Sequence, residues 1–181
     1  MKKIIGFIIF LLLFFSHTAF AIENMTMQFV KTENYLLVNL QIIPSEEFKD
    51  DFKNGLSKNI IILIELYKKW SIIPDEFISG TQIQKIMISD PIKDEFIIKS
   101  IEGELLKEKR FKNYQEALDW SLNIEAVKIE GINKLPRGKY YIKVTVESNI
   151  KKLPSVLEHL LFFIPRYEKK ITIESKSFTL P

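Results

Sequence analysis

The chain has 181 residues, with 26 Lys and Arg against 23 Asp and Glu, two histidines and no cysteine. That length suits one folded domain, and the missing cysteines exclude disulfides and thiolate zinc sites. Near-neutral charge without a basic block argues against a nucleic-acid partner.

Met1-Lys2-Lys3 forms a basic start, Ile4 to Phe15 is an unbroken apolar run, and "SHTAFA" ends with Ala19 and Ala21 on either side of Phe20. This is the pattern of a cleaved secretory signal. The run falls short of the roughly 20 residues that a membrane span needs. The expectation is export to the periplasm or cell envelope, with residues 1–21 removed after Ala21 and a single β-sandwich-like domain over residues 22–181. An uncleaved membrane anchor is the alternative. No cysteine stands at the cleavage site, so a bacterial lipoprotein is excluded. Without disulfides the mature chain depends on its core, and a chain of about 160 residues buries roughly 70% of its unfolded surface.

"MTMQFVK" (Met25 to Lys31) and "YLLVNLQII" (Tyr35 to Ile43) alternate around a turn at "TEN", which predicts a hairpin ended by Pro44. Ser45 then caps a short helix. Glu46 and Glu47 suit its first turn, and Phe48, Phe52 and Leu56 lie on one face, with Gly55 as the C-terminal stop. The acidic cluster of this helix reads as a solvated face. "NIIILIELYKKW" predicts a long strand from Asn59 to Trp70, central at its start and emerging to water at its finish. "SIIPDEFISG" reads as a loop. "TQIQKIMIS" and "DEFIIKSIEGE" are further strands, and "LLKEKRFKN" continues a strand or hairpin. "NYQEALDWSLN" is a helix capped by Asn113, with Glu116 as its capping-box partner. "IEAVKIEGI" is a short strand.

In "LPRGKYYIKVTVES" a turn at Pro136 to Gly138 leads into a strongly alternating strand. Leu135, Gly138 and Tyr140 resemble a tyrosine corner, in which the Tyr140 hydroxyl bonds back to backbone near Leu135. "KLPSVLEHLLFFIPR" and a last strand, "EKKITIESKSFTL", follow, the latter shifting phase near Ser175. Many short strands with turns between them predict a mainly β fold: an antiparallel β-sandwich, Ig-like in general architecture, with two or three short helices. An α+β fold is the alternative.

"FKNGLSKNIIILIELYKKW", "YQEALDWSLN" and "LPRGKYYIKVTVESNIKKLP", in this order, resemble the bacterial family called domain of unknown function 4390 over nearly the whole mature chain. The strand ending Lys68, Lys69 and Trp70 carries less arginine and tryptophan than the family pattern, and "ITIESKSFTLP" lacks its aromatic residues. The resemblance implies an exported, envelope-facing protein of unknown activity, with a membrane sensor kinase as one class of partner.

Little in the residues points to catalysis. His17 belongs to the leader, and His159 sits in apolar "LEHLLFF", so neither a zinc site nor a Ser-His-Asp triad is expected. The carboxylates Asp75, Glu76, Asp94 and Glu95 show no spacing that marks a hydrolase pair. No phosphate-binding glycine loop is present, and no cofactor or metal is expected. "PSVLEHLLFFIP" is apolar nearly all round, so it is either core or a surface offered to a partner or membrane. Leu160, Phe162, Phe163 and Ile164 are its candidate contact residues. Tyr67, Lys69 and Trp70 form a second candidate surface, of interface composition. The leading expectation is a non-catalytic accessory or protein-binding module acting with an envelope or inner-membrane protein, with membrane-surface contact as a further option. The alternatives are a carrier of lipid or another apolar ligand, and a carboxylate-dependent hydrolase.

Overall fold

A computed structural model of the chain describes residues 22–129, 131–132, 135–150 and 169–180. Strands β1 (Ile22–Lys31) and β2 (Leu36–Pro44) pair antiparallel. Their turn is closed by Thr32, whose hydroxyl donates to the Tyr35 carbonyl at 2.9 Å and accepts from the Tyr35 amide at 3.0 Å. Helix α1 (Glu46–Lys53) follows at once. The Ser45 side chain accepts the Phe48 amide at 3.1 Å, satisfying one of the amides that a helix start leaves open. Gly55, at φ +96, takes the left-handed conformation that ends the helix. That turn carries Leu56 away from the Phe48–Phe52 face, and Leu56 is exposed, contrary to its expected place there.

The acidic cluster of α1 also differs from the expected solvated face. Lys49 pairs with Glu46 at the surface, but Asp51 meets Lys58 at 2.6 Å, and Lys58 is only 2% exposed. The Lys58 ammonium lies 5.3 Å from the Phe48 ring centroid, and Asp51 is a charge partner of this buried cation.

β3 (Lys58–Lys69), β4 (Glu76–Asp90), β5 (Glu95–Glu102) and β6 (Leu105–Phe111) form a meander. Helix α2 (Tyr114–Leu122) leads straight into β7 (Asn123–Ile129). Asn113 caps α2 by accepting the Gln115 and Glu116 amides at 2.7 and 3.2 Å. β8 (Gly138–Ile150), β9 (Lys169–Glu174) and β10 (Phe178–Leu180) complete the described chain. Two antiparallel sheets result, in the orders β1-β2-β7 and β10-β8-β3-β4-β5-β6, with β9 also on β8. They face each other as a sandwich, and neither closes into a barrel. The fold is mainly β, as alternation predicts. The apolar segment at residues 154–165 lies outside the described residues.

β3 lies between β4 and β8, so its inner row is covered along its whole length. Ile60, Ile62, Ile64 and Leu66 are fully buried and Lys68 is 9% exposed, so this row stays covered almost to the end of the strand, which emerges to water at Lys69 and Trp70 as expected. Each buried aliphatic side chain contributes roughly 2 kcal/mol of transfer free energy. Ile142, Val144 and Val146 of β8 lie beside them in the same sheet, and Leu36, Val38, Leu40 and Ile42 of β2, in the other sheet, join the same core. Ser175 bridges the break between β9 and β10 by bonding both the amide and the carbonyl of Ile142.

Candidate functional site

The β3–β4 hairpin ends in "YKKWSIIPDEF", Tyr67 to Phe77. The expected loop over "SIIPDEFISG" is shorter in the structure, because β4 already begins at Glu76. A register shift between Leu66 and Tyr67 brings Phe77 opposite Tyr67. A Cβ on Gly80 would stand 3.3 Å from the Phe77 ring, so the missing side chain lets the ring lie back along the strand. On the other side Tyr141 of β8 is the register partner of Tyr67. Three rings therefore cross β4, β3 and β8 in a row. Tyr67 stacks on Tyr141 at 5.5 Å and meets Phe77 edge-on at 5.7 Å, geometries worth about 1 kcal/mol each beyond area burial. The Lys143 ammonium lies 5.4 Å from the Tyr67 ring.

The tip is fastened to this base. The Trp70 amide donates to Asp75 Oδ1 at 3.0 Å, and its indole Nε1 donates to Glu76 Oε2 at 3.3 Å. Burial pushes the Tyr141 hydroxyl up to about 12, and its bond to the Asp75 carboxylate adds to the shift. The Lys68 ammonium lies 4.5 Å from the Trp70 ring. The aliphatic part of Lys68 runs so close to Gly138 that a Cβ there would stand 2.9 Å from Lys68 Cε. The Tyr140 hydroxyl donates to the Pro136 carbonyl at 2.6 Å, and Tyr140 itself is fully buried. Leu135 is partly buried just before it.

Above this braced base four apolar side chains face water. Trp70 is 41% exposed, Ile72 97%, Ile73 58% and Phe77 54%. Lys69 and Lys139 stand directly opposite each other on β3 and β8, a like-charged pair that disfavours the isolated sheet. Of the second candidate surface, Tyr67 is thus part of the base, while Lys69 and Trp70 belong to the exposed tip. Leu160, Phe162, Phe163 and Ile164 lie outside the described residues.

Sequence reading missed Ile72, Ile73, Phe77 and Tyr141. The signal was present: two isoleucines in a hairpin loop break the rule that loops are polar. Chemically the tip offers contact surface and cations. Among the described residues no group of three or more His, Cys, Asp or Glu is placed to hold a metal ion, and no helix is long and apolar enough to cross a membrane.

No curated protein and no solved structure matches the chain. A family model does, over residues 17–176, which is most of the sequence. The chain belongs to the family described as Domain of unknown function (DUF4390).

Proposed function

We propose that this protein is an exported, non-catalytic module of the cell envelope that docks through the β3–β4 tip onto a membrane-anchored protein. The observation that carries this reading is the exposure of Ile72, Ile73, Phe77 and Trp70 on a hairpin whose base is locked by aromatic stacking. Exposed apolar clusters on rigid supports mark interaction sites, and rigid aromatic anchors lose little entropy on binding. The opposed Lys69 and Lys139 call for an acidic rim on the partner. Asp75 and Glu76 in the same tip disfavour an anionic bilayer surface as the occupant. A sensor kinase is one membrane-anchored partner of this kind. The carrier alternative needs room between the sheets, where Ile62, Ile64, Val38 and Val144 are fully buried.

The test is photocrosslinking in living cells, with the probe at Ile72 and a control probe at Lys99. The expected result is one discrete adduct with a membrane-anchored polypeptide at Ile72 alone, lost when Lys69 and Lys139 are both changed to Glu. Lipid adducts, no adduct, or an adduct indifferent to the charge reversal would each refute the docking reading. Export is checked separately by the mass of the mature chain, which should begin at Ile22.

A further inference from the structure

Further along β4 from the tip, the sandwich is open on one side. Among the described residues β6 pairs only with β5, and β7 only with β2, so two strand edges without a described partner flank the opening. Between them lies a groove of about 690 Å³, within the roughly 300–1,000 Å³ typical of small-ligand sites. Its floor carries Lys85, 6% exposed, in a row with the apolar Ile83 and Met87. The Lys85 ammonium sits 4.0 Å from the Trp120 ring centroid, and the Lys109 ammonium 5.1 Å from the same ring. Lys107 of β6 also lines the groove. Among the described residues, no ion pair involves Lys85, Lys107 or Lys109.

Carboxylates line the same groove. Glu116 and Asp119 of α2 and Glu125 of β7 line it, and among the described residues none of them is in an ion pair. The Asp119 carboxylate accepts a hydrogen bond from Gln115 at 3.0 Å. Glu102 of β5 lines the groove as well, and it is the carboxylate whose charge acts on Lys85, against Lys107 and Lys109. A buried ammonium without a carboxylate costs stability that an aliphatic residue would not. Cations from β4 and β6 and acids from α2 and β7 that meet in one groove without pairing are complementary to a molecule that carries both signs.

We infer that this groove binds a small zwitterion, an amino acid or a short peptide with free termini, whose carboxylate lies on Lys85 and Lys107 while its ammonium faces Glu116, Asp119 and Glu125. Trp120, with Lys85 and Lys109 against its ring, lines the groove beside these charges. Burial lowers the Lys85 pKa to about 8, which leaves the side chain charged and ready for a carboxylate at neutral pH. The site is independent of the hairpin tip.

Calorimetric titration of the mature protein at low salt tests this, with trialanine, N-acetyl-trialanine, trialanine amide and the doubly capped peptide as probes, and free alanine alongside. Trialanine or alanine should bind, their ratio telling peptide from amino acid, and each cap should weaken binding by about tenfold. Lys85→Met and Lys107→Met should each erase the penalty of the amide cap and keep that of the acetyl cap. Glu116→Gln with Asp119→Asn should do the reverse. Lys107, Glu116 and Asp119 are exposed, so these variants fold even if Lys85→Met does not. Absence of binding, equal binding of all four peptides, or cap penalties untouched by Lys107→Met would overturn the assignment.

Discussion

Changing Lys85 to methionine should make the protein more stable at neutral pH and less so as pH rises. The side chain pairs across the sheet with Ile60 on one side and Ser100 on the other, and it is 6% exposed. Burial first, and then Lys107, lower its pKa from 10.5 to about 8. At about 1.4 kcal/mol per unit, the folded state forfeits about 3 kcal/mol by holding this ammonium at pH 7. The Trp120 ring, 4.0 Å away, returns about 1 kcal/mol, and methionine keeps most of the apolar stem. The expected net gain is about 2 kcal/mol at pH 7. Because the folded pKa lies below the unfolded one, the penalty is complete below pH 8 and disappears above 10.5. The gain should therefore fall to about 1 kcal/mol at pH 9.5. Tyr114 and Tyr141, pushed up to about 12, ionise in the unfolded chain above pH 10 and cost both proteins equally there, so the comparison stops short of that range. Urea midpoints of the two proteins at pH 7 and 9.5 measure the difference. A Lys85→Met protein less stable than the parent at pH 7, or a gain that ignores pH, would refute the reasoning. Lys85 would then be part of the fold through Trp120.

Tyr140→Phe removes the hydroxyl that donates to Pro136 at 2.6 Å and leaves that carbonyl without it. Urea unfolding should show a loss of about 1–2 kcal/mol, with the m-value unchanged. Asp51→Asn takes the carboxylate at 2.6 Å from the buried Lys58, and thermal unfolding should register a loss of about 2–4 kcal/mol. Gly138→Ala places a methyl 2.9 Å from Lys68 Cε, the movable end of a flexible chain. It should cost under about 1 kcal/mol yet shift Lys68 from the Trp70 ring, read as a change in tryptophan fluorescence relative to a Trp70→Phe control.

Local patterns were legible because local chemistry makes them. The alternation of Ile60, Ile62 and Ile64 marked one face of β3, Ser45 and Asn113 marked helix starts, and the phase shift at Ser175 marked the break between β9 and β10. Each rests on neighbours a few residues apart, through the pleat or through open amides at a helix end. By itself, then, the sequence determined a mainly β, antiparallel protein with two capped helices, and that it belongs to its family. Other features depended on pieces distant in sequence. Phe77 reads as loop until the register shift at Tyr67 and the open space at Gly80 give it a strand partner. Asp51 reads as solvated until β3 places Lys58 beneath it. Lys85 shares a face with Ile83 and Met87 in the sequence pattern, but only the order of the two sheets, which among the described residues leaves one edge each of β6 and β7 open, sets a groove above it. Alternation states which side chains share a face. What covers that face, and where the cover ends, is decided by strands that meet only in the folded chain.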